Sequence, residues 1–117
     1  MFHLGYVIRR GPFALYHAGD TVPYDGMAER VRAAAGPGGI DVALLPINGR
    51  APERRVAGNL TGEEAAAPAH ELGARLAVPM HFEMFPFNTE PPDAFVAACE
   101  RLGQGHRALR AGERLTI

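Results

Sequence analysis

Short apolar runs of strand length alternate with segments of helical periodicity from residue 13 onward, and this order constrains the fold more than any other feature. Residues 40–47 form a nearly continuous apolar run, broken only by Asp41 and Pro46. A run of this length that is apolar on both faces is typical of an inner strand. Residues 13–17 and 76–80 are further β-rich runs. Strands that alternate with helices predict a mixed α/β layer with crossover helices.

The two ends of the chain are also predicted to be β. Residues 4–8 and 13–17 are expected to pair as a hairpin, because residues 9–12 (RRGP) favour a turn. The tail, residues 106–117, is predicted to form two short strands around residues 111–112 (AG). The sequence has no internal repeat and no linker. Residues 1–117 are therefore predicted to form a single domain.

Three segments carry the start signals of helices. Asp25 is expected to cap the first helix. Thr61 and Glu64 form a capping box, in which each side chain accepts a hydrogen bond from the backbone amide of the other residue. The helix that this box opens is expected to run to about Leu72, and residues 91–92 (PP) open the last helix. The predicted stops are Gly36, Gly73 and Gly103.

Composition excludes several classes of partner and site. The formal net charge is -1, so the chain has no overall basic field, and we expect no nucleic-acid partner. No apolar run approaches 18 residues and the first residues do not resemble a signal peptide, so we expect a cytoplasmic protein without a membrane partner. Cys99 is the only cysteine, which excludes an internal disulfide and a cysteine-cluster zinc site.

Polar side chains follow each of the three central predicted strands. His17 and Asp20 follow the first, Asn48 and Arg50 the second, and His81 the third. Open α/β sheets bind their ligands beyond the carboxyl ends of the strands, so these side chains are expected to meet at one crevice. Carboxylate and imidazole are ligand types that zinc, manganese and iron accept. Asp20 and His81 are only two ligands, however, and a catalytic zinc usually takes three from protein.

Four segments resemble consecutive motifs of the metallo-β-lactamase superfamily. They are residues 16–21 (YHAGDT), 41–50 (DVALLPINGR), 58–61 (GNLT) and 79–85 (PMHFEMF). Order and spacing match those of metal-dependent hydrolases similar to L-ascorbate-6-phosphate lactonase, and the resemblance extends from about Gly5 to the end of the chain. It implies the C-terminal half of a four-layer α/β/β/α sandwich, with a mixed sheet that carries helices on one face.

The resemblance also implies a role for each polar residue. Asp20 corresponds to a metal ligand that commonly bridges two ions, and His81 corresponds to the family's last metal-binding histidine. His17 lies beside Asp20 and would line the pocket or support the ligands. Asn48, Arg50 and Asn59 would border the substrate. The implied cofactor is a divalent cation, Zn or Mn, and the implied reaction is hydrolysis of a small-molecule lactone, ester or phosphoester by metal-bound hydroxide.

The chain departs from the family in one large respect. The superfamily's His-x-His-x-Asp-His motif is absent, and so is the histidine ligand that precedes the Gly-Asp-Thr element. We therefore expect an incomplete metal site and an inactive isolated chain. The face of the lone sheet that carries Val42, Leu44 and Val78 is expected to be exposed, which predicts a homo-oligomer, most simply a homodimer, or a complex with the missing N-terminal half.

Several interpretations without catalysis stay open. For Asp20, the alternative to a metal ligand is a turn residue that bonds its own backbone. His17 fits a strand-end histidine that the backbone satisfies better than a ligand, and the alternative for Arg50 is a solvated loop residue. For the whole chain, the alternative to a hydrolase is a non-catalytic half-domain that self-associates or binds a partner. A nuclease of the same superfamily is disfavoured by the near-neutral charge.

Overall fold

The computed structural model describes residues 4–50, 58–83 and 90–117. Within these ranges the chain forms a four-stranded sheet and three helices. In chain order they are β1 (Tyr6–Arg10), β2 (Phe13–His17), α1 (Met27–Ala35), β3 (Val42–Pro46), α2 (Gly62–Glu71), β4 (Leu76–Met80) and α3 (Asp93–Leu102). The predicted mixed α/β class is confirmed.

The sheet follows the order of the sequence, β1-β2-β3-β4. β1 and β2 form the predicted antiparallel hairpin, with Tyr6 opposite His17. β2, β3 and β4 are parallel, so their carboxyl ends lie at the same edge of the sheet. β3 lies between β2 and β4, as its continuous apolar run predicts.

The core lies between one face of the sheet and the helices. Alternate residues of β2, such as Ala14 and Tyr16, point into it, and Leu45 of β3 does the same. These side chains form one buried cluster with residues of all three helices, among them Phe95 and Cys99. Burial raises the pKa of the Cys99 thiol to about 11. The helices therefore cover a single face of the sheet, as predicted.

The opposite face of the sheet is less exposed than the sequence predicts. Val42 and Val78 are only 1% and 4% exposed although they lie outside the core cluster, and Leu44 is half-buried. Ile117 of the C-terminal tail borders a cavity together with Phe13, a residue of this face. The prediction of a fully open face was therefore wrong at these positions.

Exposed apolar side chains are concentrated instead at the β1 edge of the sheet. Leu4, Tyr6 and Ile8 are 65%, 58% and 57% exposed. They alternate along the strand, so they lie on one face. We call these three residues the β1 patch.

Two local predictions were wrong. Asp25 does not cap α1: the N-cap is Gly26, whose φ of 82° suits glycine, and no side chain bonds to the helix start. The tail forms no pair of strands among the described residues 106–117, where His106 makes one isolated bridge with Ala77 and a turn follows at residues 111–112. A strand requires a continuous ladder of hydrogen bonds, and the bonds around His106 form only a single bridge with β4.

The capping box of α2 is confirmed. The Thr61 hydroxyl accepts a hydrogen bond from the Glu64 amide at 3.2 Å, and the Glu64 carboxylate accepts one from the Thr61 amide at 2.8 Å. In the described parts of the chain, no helix has the length and apolar character needed to cross a membrane.

Candidate metal centre

Asp20 and His81 lie side by side at the carboxyl edge of the sheet. Asp20 follows β2 and His81 follows β4, and the two strands run parallel on either side of β3. The Asp20 Oδ1 and His81 Nδ1 atoms are 3.1 Å apart, and the side chains are 40% and 30% exposed. Two residues 61 positions apart in the sequence thus share one half-exposed site, as their strand-end positions predict.

The buried amide of Asn59 joins these two side chains. Its Nδ2 donates to Asp20 Oδ1 at 3.0 Å, and its Oδ1 lies 3.3 Å from His81 Nδ1. Because both neighbours of His81 Nδ1 are acceptor oxygens, these contacts fit the tautomer that carries its proton on Nδ1. Asn59 thus holds a carboxylate and an imidazole next to each other, and both are ligand types that divalent metals accept.

The backbone of His81 is strained. His81 and Glu83, with φ of 64° and 52°, are the two non-glycine residues with positive φ in the described ranges. Such conformations cost on the order of 1 kcal/mol or more and cluster at functional sites, where the surrounding structure maintains them. The strain occurs directly after β4, where the chain turns and carries the imidazole towards Asp20.

Gly19 allows the turn that carries Asp20. Its φ is 66°, and a Cβ atom at this position would lie 2.6 Å from the Leu4 carbonyl oxygen, so no larger residue fits. The Gly19 amide donates to His17 Nδ1 at 3.1 Å. His17 is therefore satisfied by the backbone, which agrees with the strand-end interpretation.

Arg50 makes a salt bridge within the protein. Its guanidinium donates two hydrogen bonds to the Glu64 carboxylate, at 2.5 and 2.8 Å, and a third to the Asn59 carbonyl oxygen at 3.3 Å. This set of contacts attaches the segment that carries Asn59 to the start of α2. Asn48 is buried at the end of β3 and pairs with Thr61 in an isolated bridge. Arg50 and Asn48 thus support the position of Asn59, which the sequence motifs alone do not reveal.

The Arg50–Glu64 pair predicts a pH-dependent stability. Hydrogen bonds from Arg50 lower the pKa of Glu64 from 4.5 to about 2. A folded-state pKa below the unfolded value stabilises the fold above about pH 4.5, and this contribution is lost as the pH falls towards 2. Both side chains are partly exposed, so we expect Glu64→Gln to cost about 1 kcal/mol of unfolding free energy at pH 7 and almost nothing near pH 2.

Urea unfolding at a series of pH values measures this difference. The glutamine oxygen can keep the capping-box hydrogen bond from Thr61, so the substitution removes the charge and one of the two hydrogen bonds from Arg50. Glu63→Gln is the matched control, because Glu63 is 76% exposed and its nearest charged partner, Arg101, is 3.5 Å away. An equal loss at pH 7 in both variants would contradict a specific role of the Arg50–Glu64 pair.

The donor set suits a divalent cation in kind but not in number. Asp20 supplies a carboxylate and His81 an imidazole, both of which zinc and manganese accept. Within residues 4–50, 58–83 and 90–117, no group of three His, Cys, Asp or Glu side chains is arranged to hold a metal ion. The last two residues of the 79–85 motif lie outside the described ranges. The described residues thus offer two ligands of a site that usually needs at least three from protein.

A cleft of about 750 Å³ opens beside His81. One wall consists of the end of β4 and the residues that follow it, including Phe82 and Glu83, and the other of the tail residues Leu109, Arg110 and Ala111. No motif predicts that the tail contributes to this site, because nothing local in its sequence indicates where it packs.

Comparison with known proteins identifies the family. Residues 3–82 match the family described as Beta-lactamase superfamily domain. The chain is 35% identical over 113 residues to a UPF0173 metal-dependent hydrolase of Opitutus terrae, with 97% of this chain and 44% of that protein covered. It is 36% identical over 114 residues to one of Methanoculleus marisnigri, with 97% and 46% covered. The chain thus spans less than half the length of these relatives.

Solved structures agree with these matches. Igni18, a metallo hydrolase from Ignicoccus hospitalis, superposes with a TM-score of 0.72 at 31% identity, over 93% of this chain and 43% of that one. YhfI, a metallo-β-lactamase fold protein from Bacillus subtilis, has a TM-score of 0.70 at 16% identity, over 93% and 42%, and supports the fold alone. The predicted resemblance is therefore confirmed at the level of the superfamily: the chain belongs to the β-lactamase superfamily domain family and has the metallo-β-lactamase fold.

Proposed function

We propose that this chain is the C-terminal half of a metal-dependent hydrolase and supplies two of its metal ligands, Asp20 and His81. The observation that carries the proposal is the 3.1 Å contact between these side chains at the edge where parallel strands end. The names of its relatives, metal-dependent hydrolase and metallo hydrolase, support the same activity. The resemblance of its motifs to the ascorbate-6-phosphate lactonase branch favours a lactone, ester or phosphoester as the substrate.

Each residue has a distinct role in this proposal. Asp20 would supply a carboxylate oxygen and His81 a ring nitrogen, and a cation between them would replace their direct 3.1 Å contact. A divalent cation held there, Zn or Mn, would lower the pKa of a bound water towards neutrality and polarise the bond to be hydrolysed. Asn59 fixes the orientation of both ligands, and Arg50 holds the segment that carries Asn59. His17 and Asn48 support the two strand ends.

The remaining ligands come from outside the described residues. The described residues contain no third ligand at the site, and the chain covers 44% of one relative and 46% of another. We therefore expect residues 1–117 to fold as one unit, to bind a cation weakly alone, and to need a further polypeptide for a complete site.

Metal titration and hydrolysis assays test the proposal. Zn²⁺ or Mn²⁺ is added to the purified chain, the bound metal is measured by elemental analysis, and lactone, carboxylic ester and phosphoester substrates are assayed with and without a chelator. We expect metal binding that His81→Ala abolishes, and any hydrolysis to stop with the chelator. Metal binding that His81→Ala leaves unchanged, or hydrolysis that the chelator does not affect, would refute the assignment.

A second candidate is a non-catalytic half-domain that pairs with a second copy of itself. The β1 patch favours it, because Leu4, Tyr6 and Ile8 expose more than half of their surface on one face of an edge strand.

Light scattering tests this pairing. We expect a particle of twice the 12.5 kDa chain mass, which Ile8→Glu converts to a monomer because the charge would be buried in the interface. Leu102→Glu is the control, since Leu102 is an exposed apolar residue of α3 away from the patch. A well-folded monomer of the unmodified chain would contradict the dimer.

A further inference from the structure

We infer that the cleft beside His81 binds the oxyanion of an anionic substrate, a carboxylate or a phosphate, through Arg110. This inference rests on the proposed function, because it names the substrate class of the same site. It adds a residue from the C-terminal tail to the strand-end residues already described.

Hydrogen bonds attach the tail to β4 and to the residue Ala74 that precedes it. Gln104 is buried, and its Nε2 donates to the carbonyl oxygens of Ala74 and Gly105 at 2.8 and 2.9 Å. The amide of Ala77 donates to the Gly105 oxygen at 2.8 Å, and the amide of Arg107 to the Ala77 oxygen at 3.0 Å. Because these bonds fix the tail three residues before Arg110, the path of the chain leads Arg110 to the cleft.

A turn sets the backbone of Arg110. Its amide donates to Glu113 Oε1 at 3.0 Å, and its carbonyl oxygen accepts from the Glu113 amide at the same distance. The Glu113 carboxylate is therefore directed at the backbone of the turn. The Arg110 side chain is left to line the cleft opposite the residues that follow β4.

Charge distinguishes Arg110 from Arg50, the cation that the sequence motifs suggest for the substrate. Arg50 is neutralised by two hydrogen bonds to Glu64, and its release would leave that carboxylate without its partner. Across the described parts of the chain, the ion pairs involve Arg50, Arg75, His81 and Arg101, and none involves Arg110. A guanidinium presents a planar fork of donors that matches carboxylate and phosphate oxygens.

The other lining residues define the rest of the ligand. Met80, Phe82 and Leu109 give the cleft apolar walls that suit the body of a small organic anion. Glu83 also lines the cleft and opposes a negative charge. The two charges should therefore have opposite effects. Removal of the Glu83 charge should strengthen anion binding, and removal of the Arg110 charge should weaken it.

A titration of the metal-free chain tests the inference. Phenyl phosphate, benzoate and the neutral benzyl alcohol are added separately, and backbone amide shifts are followed by ¹H–¹⁵N NMR. We expect saturable shifts around Phe82 and Arg110 with at least one anion, and weaker shifts with the alcohol. Binding of phenyl phosphate alone would identify a phosphate site, and binding of benzoate alone a carboxylate site.

Three variants test which side-chain charges control anion binding. We expect Arg110→Gln to lower the affinity for the anion by about fivefold or more. Glu83→Gln should raise that affinity. Arg107 is an exposed arginine of the same tail, and Arg107→Gln should change the affinity for the anion by less than about twofold. Equal effects of Arg110→Gln and Arg107→Gln, equal binding of the alcohol, or no binding of either anion would overturn the inference. Because no metal is present, this result is independent of metal binding by Asp20 and His81, so either proposal can fail alone.

Discussion

Replacement of Asp20 by alanine is expected to abolish the binding of Zn²⁺ to this chain. Asp20 offers the only carboxylate within hydrogen-bonding distance of His81 among the described residues, and a lone imidazole does not retain zinc against a chelator. Because the substitution removes one of the two ligands that the described residues offer, we expect the affinity for Zn²⁺ to fall by about 100-fold or more. Competition with a chromogenic chelator measures the affinity.

A matched variant separates this effect from a general loss of charge. Asp25→Ala removes an exposed aspartate five residues further along the same loop, and we expect it to bind Zn²⁺ as the unmodified chain does. Circular dichroism of both variants checks that they fold. Retention of the original affinity by Asp20→Ala would remove the basis of the metal centre, because Asp20 and His81 would then not share a cation.

The largest expected loss of stability follows replacement of Phe95 by alanine. Phe95 is fully buried in α3, beside α2 residues such as Ala65 and Ala69 that are also fully buried. The small alanine side chains let α3 approach α2 closely, and the edge of the Phe95 ring meets His106 with the ring centres 6.4 Å apart. Removal of this side chain leaves a cavity that the rigid helix pair cannot fill, at a cost of about 3–5 kcal/mol.

Denaturant unfolding measures the cost. A loss of this size is a large part of the 5–15 kcal/mol typical of a domain, so we expect a much lower midpoint, or a partly unfolded chain. Leu102→Ala on the same helix is the control, because Leu102 is 41% exposed and its truncation should cost below about 1 kcal/mol. A small effect of Phe95→Ala would mean that α2 and α3 do not form the packed unit described above.

Phe95 also connects stability to the candidate site. α2 begins next to Asn59, and Glu64 of α2 holds Arg50. His106, which contacts Phe95, begins the tail that leads to Arg110. We therefore expect Phe95→Ala to disturb both the segment that carries Asn59 and the tail wall of the cleft.

Local features of the sequence were sufficient for most of the secondary structure. The bounds of β2 and β4 agree with their apolar runs, and the box at Thr61 opens α2 as predicted. These signals depend on residues within a few positions of one another, which is why they can be recognised in the sequence. The prediction of Asp25 as a cap was wrong although its residue type is suitable, because the helix begins one residue later, with Gly26 as its N-cap.

The approach of Asp20 to His81 was also predictable, because parallel neighbouring strands end at one edge of a sheet. The position of the Asn59 side-chain amide, which joins these two residues, could not be predicted from the sequence. Asn59 reaches Asp20 across 39 positions and His81 across 22, and its place depends on how Arg50 and Glu64 hold the segment before α2. A motif indicates that such a residue is near the site, whereas the direction of its side chain depends on packing.

The sequence by itself determined the α/β class, the order of the elements and the pair of ligand-type residues at the sheet edge, since all three follow from short-range periodicity and strand direction. Only the tertiary structure decided that Val42 and Val78 are covered, that Arg50 is paired with Glu64, and that the tail carries Arg110 to the cleft. The physical reason is that these features depend on contacts between residues far apart in the chain, whose partners no local pattern specifies.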